Sequence, residues 1–483
     1  MGNKYLLKTT IIATLGGLLF GYDTAVISGT VSALKDFFII PQGIGELEAN
    51  SLLGFVVSSA LIGSIIGAFS GGIISKKFGR KKGLIIAATL FLISALGSSM
   101  PELGFAPIGE GSYIHLYQFV FYRIIGGVGI GLASMLSPMY IAEIAPSDKR
   151  GALVSFNQFA IVSGILVVYF VNYSIASQGD DSWINAIGWR YMFASEAVPA
   201  IVFLVLLLLV PESPRWLILN NREEEGTDIL TKINGEEKAK IILEEIKASS
   251  GHHTSLSMFS YGSLILVIGV MLAAFQQFSG INAVLYYAPE IFKSMGYGTD
   301  SALMQTIIVG VINVIFTIVA IKTVDKYGRK PLMIWGSVSM GLSMISLGLT
   351  FYFDNVGILA LIFMLMFITS FALSSGPVTW VLLTELFPNK IRGKAMSLVV
   401  ATTWITNYIV SWSFPVMNDS SYLTDRYNHG FAYWVYGIIS IVSAVFVWKL
   451  VMETKGKSLE EIEAAWKTGQ KYLFTNFYFL RSS

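Results

Sequence analysis

The 483-residue chain has no cysteine, which removes disulfides, thiolate nucleophiles and Cys-ligated metals from consideration. Histidine is nearly as scarce, and the adjacent pair His252 and His253 lies in a polar stretch with poor geometry for a metal site. Charge is thin: 13% of residues are Asp, Glu, Lys or Arg against 54% hydrophobic, too apolar for a soluble protein of this length. No basic stretch is interleaved with aromatics, so nucleic acid is not an expected partner. No Gly-rich loop ends in Lys-Ser or Lys-Thr, so direct nucleotide drive is not expected either. The chain reads as a non-enzyme without cofactor or metal.

What it has is apolar length. About twelve stretches of roughly 18 to 25 residues can each cross a ~30 Å hydrocarbon core as a helix. They lie near 7–33, 51–75, 83–100, 116–141, 152–174, 191–211, 262–292, 303–324, 332–352, 357–384, 395–416 and 430–452. The first follows Lys4 and Lys8 but lacks a cleavage site and carries Asp23, so it reads as a retained helix. Bases fill alternate short loops: Lys76 to Lys82, Lys149 and Arg150, Lys326 to Lys330, and Lys390 to Lys394. Those loops and both termini are expected in the cytoplasm. The loops between them hold Asp36, Glu46, Glu102, Asp180, Asp354 and Asp419 and are expected outside. The aromatic tail Tyr472 to Leu480 has the composition of an interfacial segment.

The charged stretch from Pro211 to Ser257 divides the chain into an N-terminal half 1–211, a cytoplasmic linker 212–257, a C-terminal half 258–453 and a tail 454–483. In the linker Ile229, Leu230, Ile233, Ile241, Ile242 and Ile246 recur at helical spacing, predicting short amphipathic helices. Motifs repeat across the divide. Phe78-Gly79-Arg80-Lys81 answers Tyr327-Gly328-Arg329-Lys330, and Glu143 to Gly151 answers Glu385 to Gly393 with the same internal spacing. Pro211-Glu212-Ser213 is answered by Met452-Glu453-Thr454. Repetition at this distance implies two like halves with a ligand expected between them. The charged members Arg80, Glu143, Arg150, Glu212, Asp325, Arg329, Glu385, Arg392 and Glu453 are expected to form cytoplasmic networks that hold in one conformational state and part in another.

Two features lie where lipid should be. From Phe275 to Tyr287 the chain carries Gln276, Gln277, Ser279, Asn282, Tyr286 and Tyr287, with Gly280 placed where a helix would loosen. Helix–helix contact explains any one of these groups as well as function does; for the set, a hydrated cavity is the better reading. Uncharged amides and phenols suit a neutral polyol such as a sugar. The second feature is Asp23 in the first run, for which Arg123 in the fourth is the available partner. A carboxylate paired in one state and desolvated in another exchanges a proton between states; a static buried pair is the alternative. Glu196 in the sixth run is a second intramembrane acid read as part of this network.

These motifs, with Pro211-Glu-Ser-Pro-Arg-Trp-Leu217, the Gln-Gln-x-x-Gly-x-Asn run ending at Asn282 and Glu453-Thr-Lys-Gly456, resemble the sugar porter family of the major facilitator superfamily from Ala13 to about Trp466. The resemblance implies an all-α membrane protein of twelve transmembrane helices in two six-helix halves, with short cytoplasmic helices. It implies a monomeric proton-coupled symporter of D-xylose or a related pentose or hexose in a bacterial inner membrane, with monosaccharide, proton and lipid bilayer as partners. A uniporter of the same fold and a non-transporting sugar sensor are the alternatives. Carried over residue by residue, the sugar contacts are Gln158, Gln276, Gln277, Asn282, Asn313 and Trp380, with Phe20, Tyr286 and Tyr287 lining the pocket. Asp23 stands where symporters of the family couple the proton. Ile165 and Thr403 stand where xylose-taking members carry Gln, which implies a roomier and less polar pocket.

Overall fold

The computed structural model describes residues 2–109, 112–146, 150–250, 257–457 and 459–468; the side chain of Arg150, the His252–His253 pair and the tail Tyr472 to Leu480 lie outside what is described. Every regular element among the described residues is a helix. Eleven are long and apolar enough to cross a membrane, and the 30-residue helix Asn389–Asn418 is the twelfth. Thr402, Thr403, Thr406, Asn407 and Ser411 make that helix less apolar than the others. All but Thr402 are buried in protein; the threonine hydroxyls donate to carbonyls four residues earlier, and Asn407 and Ser411 have side-chain partners, so none of these five is stranded.

The chain forms two compact units, Met1–Ile44 with Val56–Thr254, and Gly45–Phe55 with Ser255–Ser483. In the first, glycines let backbones touch: a Cβ on Gly21 would stand 1.9 Å from the Ile161 carbonyl oxygen, and one on Gly164 2.1 Å from that of Leu18. The first helix, Gly2–Val26, therefore lies tightly along Arg150–Ala176. In the second unit Arg329–Tyr352 lies along Phe431–Leu450, with the Phe351 and Tyr433 rings stacked at 5.2 Å.

The sixth span begins at Asp181, ten residues before the expected 191. Its first turns look like a loop because they carry Asp181, Ser182, Asn185, Gly188 and Arg190. Gly188, Trp189 and Arg190 are buried all the same, since Trp189 packs against Phe37, Phe38, Phe119 and Phe193, and Arg190 pairs with Glu102. The linker folds into Pro214–Leu219, Glu223–Asn234 and Glu236–Ser250. Ile218, Leu230, Ala239 and Ile246 form their small core. Ile241, expected on the buried face, is 57% exposed; Ile242 and Ile246 share the buried face four residues apart, and Ile241 is turned off it.

Two repeated caps fix the basic loops. Glu212 Oε1 accepts hydrogen bonds from the Arg80 and Lys81 N–H groups at 2.8 and 3.0 Å, at the start of Arg80–Ser99. Glu453 accepts from the Arg329 and Lys330 N–H groups at 3.1 and 2.9 Å, at the start of Arg329–Tyr352. Each carboxylate meets bare N–H groups and the positive end of a helix. The preceding Gly79 and Gly328 adopt φ/ψ of 93°/178° and 91°/161°, a region open essentially to glycine alone. A Cβ there would also stand 2.3 Å from Glu212 Oε2 or 2.7 Å from Glu453 Oε2. Gly79→Ala and Gly328→Ala should each cost about 1–3 kcal/mol. Thermal unfolding in detergent checks this; midpoints equal to that of the unaltered protein would show that the caps tolerate a side chain.

Candidate functional site

In the first unit Asp23 and Arg123 form a fully buried ion pair: Arg123 Nη1 donates to Asp23 Oδ1, and Nη2 donates to the Asp23 backbone carbonyl at 3.2 Å. The guanidinium lies over the Phe193 ring, 5.3 Å from its centroid. Glu196 is buried nearby, at the junction between the helices Trp189–Ser195 and Ala197–Leu208, with neither carboxylate oxygen bonded to a protein donor. Its neighbour Ser195 shares a 2.7 Å hydrogen bond with the Tyr22 hydroxyl. Two acids and one guanidinium thus occupy an apolar interior in which they cannot all be charged without large cost, the arrangement expected of groups that exchange a proton. Gln158 and Phe20 are half-buried in this unit, and Ile165 is buried. Asn157, which sequence reasoning passed over, is buried with its Oδ1 lacking a protein donor and facing Gly17; its position beside Gln158 was the available signal.

In the second unit the seventh span is broken. Ser263–Phe278 ends, Gly280 takes φ +87°, and Ile281–Ser294 begins. A Cβ on Gly280 would stand 2.4 Å from the Tyr436 ring. The tenth span breaks too, at Ser374, between Ile358–Leu373 and Ser375–Leu386. Gln276 ties the two breaks together, its Nε2 donating to the Ser375 carbonyl at 2.7 Å and the Gly376 carbonyl at 3.2 Å. Gln277 Nε2 donates to Gln276 Oε1 at 3.4 Å, and Asn282 Nδ2 donates to Gln277 Oε1 at 2.5 Å. The result is a chain of three amides whose donors and acceptors already address one another. Tyr287 donates to the Ser411 carbonyl at 3.0 Å, and Asn407 Nδ2 donates to the Tyr286 hydroxyl at 3.4 Å. Asn313 and Thr403 are buried, the latter with its hydroxyl turned back to Val399. Trp380 is half-buried on the short helix after the second break, packed against the unit's apolar core. Asn407 was not singled out from sequence; it sits in the least apolar membrane helix, which was the signal available.

The charged motifs form one network in each unit. Arg80 pairs with Glu143 at 2.6 Å, and the Ser213 hydroxyl donates to Glu143 at 2.5 Å. Arg329 pairs with Glu385 and Asp325, each at 2.8 Å, and the Thr454 hydroxyl donates to Glu385 at 2.5 Å. Arg392 instead donates its Nε to the Phe387 carbonyl at 3.0 Å, and no carboxylate among the described residues pairs with it.

Comparison with known proteins bears on this geometry as a whole. Residues 9–466 match the family described as "Sugar (and other) transporter". The chain is 57% identical over 477 residues to the D-xylose-proton symporter of Escherichia coli (strain K12), covering 97% of each protein. It is 42% identical over 464 residues to the glucose facilitated diffusion protein of Zymomonas mobilis, covering 95% of this chain and 97% of that one. In three dimensions it matches the inward open conformation of the xylose transporter XylE from E. coli with a TM-score of 0.87 at 56% identity, over 96% of this chain and 100% of that one. With twelve membrane helices, its paired loop motifs and a match running almost end to end, the chain belongs to the sugar (and other) transporter family.

Proposed function

We propose that this protein carries a monosaccharide inward together with a proton, by alternating access across a bacterial inner membrane. The observation that carries the reading is the 57% identity, over 97% of both chains, to a D-xylose-proton symporter. The buried Asp23–Arg123 pair beside Glu196 supports the proton half. The amide chain Gln276–Gln277–Asn282, set at a helix break, supports the sugar half. A sugar hydroxyl both donates and accepts, so it can enter such a chain by taking over an amide–amide bond without leaving a buried group unpaired. D-xylose is the first substrate to test, with other pentoses and hexoses beside it. The cytoplasmic networks serve as gates that hold or release as the site changes sides.

One relative is named for facilitated diffusion, so uniport is the competing reading. Uptake into proteoliposomes, with and without an imposed proton gradient, separates the two. Accumulation of D-xylose or a hexose above the outside concentration on a proton gradient alone is expected; equilibration without accumulation would establish uniport, and binding without flux a sensor.

Gln277→Ala and Asn282→Ala should each weaken sugar binding by about 0.5–1.5 kcal/mol, more where the remaining partner stays buried and unpaired. Because Asn282 donates to Gln277, the double variant should lose less than the two losses added. Calorimetric titration tests this, and unchanged affinity in both single variants would remove the seventh span from the site.

A further inference from the structure

The helix Arg80–Ser99 begins at a basic loop and so runs outward to Ser99. Ser94 and Ser98 stand one turn apart in its outer part, on one face. Both are fully buried, and neither hydroxyl has a hydrogen-bond partner among the described residues. A buried serine in an apolar helix ordinarily turns back to a carbonyl of the preceding turn, as Ser99 does to Leu96 at 2.8 Å. Ser94 and Ser98 do not.

What Ser94 faces is decided by a glycine. Gly126 brings the helix Leu116–Ile144 so close that a Cβ on it would stand 2.3 Å from Ser94 Oγ and 2.9 Å from Asp23 Oδ2. The two oxygens are therefore within about 5 Å of each other, a gap that one water molecule bridges. Asp23 Oδ1 is held by Arg123, whereas Oδ2 has no protein donor. From Ser94 to Ser98 the Cβ separation in a helix is about 5–6 Å, a second gap of the same size. The helix ends at Ser99, and just beyond it Arg190 Nη1 donates to the Ser99 carbonyl at 3.1 Å and to Glu102 at 2.9 Å. The other ionisable groups at Asp23 are Arg123 from Leu116–Ile144, Glu196 from the sixth span and the neighbouring Tyr22. Residues 153–176, along which the Asp23 helix packs, contribute no carboxylate or cation.

We infer that Ser94 and Ser98 relay the coupling proton between the outer surface and Asp23 Oδ2, with Gly126 keeping that oxygen open to Ser94. The inference rests on the symport reading above. A proton from outside, carried inward by water, bonds to the buried Ser98 oxygen as Ser98 releases its own proton inward. Ser94 repeats the exchange, and an O–H bond forms at Asp23 Oδ2. Both serines end as they began, one proton has left the outer water, and Asp23 is neutral. Reversal of the same hops discharges it.

The test uses the full chain in proteoliposomes, with D-xylose as the probe and two rates measured. Proton influx accompanying sugar uptake requires the relay. Sugar exchange at equal sugar concentration and equal pH on both faces, which moves no net proton, does not. In the Ser94→Ala, Ser98→Ala double variant proton influx should slow by roughly tenfold, the kinetic equivalent of about one lost hydrogen bond in the barrier, while exchange stays close to the unaltered rate. Influx as fast as in the unaltered protein would overturn the relay. So would influx and exchange falling together, which would make the serines packing residues. If the unaltered protein brings in no proton with sugar, it is the symport reading that fails, and that arm is read separately.

Discussion

Asp23→Asn should abolish uptake against a sugar gradient while leaving sugar binding and exchange in place. A proton carrier must bind sugar better in one of its protonation states, because coupling between two ligands is reciprocal. Asn preserves size and an acceptor for Arg123 but cannot titrate. The accumulation ratio reached on a proton gradient alone should therefore fall to unity, the largest functional effect expected from any single substitution here. The change also leaves Arg123, which is 1% exposed, without its counter-charge, and breaking a buried pair by removing one member costs about 3–5 kcal/mol. Thermal unfolding and sugar binding are for this reason measured on the same preparation. A folded Asn variant that still concentrates sugar on a proton gradient would show that coupling lies elsewhere, with Glu196 the next candidate.

Arg190→Ala should be the most destabilising surface-end substitution, lowering stability by about 3–5 kcal/mol. Pairs at the water interface are ordinarily worth about 0–1 kcal/mol. This one differs because Glu102 is 0% and Arg190 4% exposed, and because the guanidinium also lies 4.4 Å from the Trp189 ring centroid. Without it Glu102 would keep only backbone N–H groups, its own and that of Gly109 at 3.1 Å. Burial pushes the Glu102 carboxyl up, but the Arg190 hydrogen bonds, the Glu102 and Gly109 backbone N–H groups and the Arg190 charge outweigh it and hold the group below its usual 4.5. A folded value below the unfolded one means stability that is complete above 4.5 and is lost as pH falls through the lowered value. The unaltered protein should show that acid-side loss in its thermal midpoint, and Arg190→Ala should show a smaller one. Equal slopes below 4.5 would assign the acid sensitivity to other carboxylates.

The twelve helices were legible because lipid demands a long apolar run and permits little else. The sixth span was misjudged at its outer end because Arg190 reads as a solvent residue until Glu102, 88 positions earlier, is known to meet it. The break at Gly280 was legible from a glycine among amides, but the role of Gln276 was not. Its Nε2 is committed to carbonyls about a hundred residues away, a contact that periodicity cannot report. Ser94 was invisible for a related reason, since a lone serine in an apolar run is ordinary until the glycine opposite it is placed.

The two carboxylate caps have a consequence for the order in which the chain can be made. Glu212 reaches Arg80 across 132 residues, and Glu453 reaches Arg329 across 124. At roughly 5–20 residues per second, each basic helix start waits on the order of ten seconds or more for its cap to be synthesised. Until then the first two N–H groups of that helix lack their carboxylate, and the preceding glycine is tied by its own N–H to the helix before it. Each half gains its cap only when its sixth membrane helix has left the ribosome, so a nascent chain stalled after five helices is expected to be cut at this loop more readily than one stalled after six.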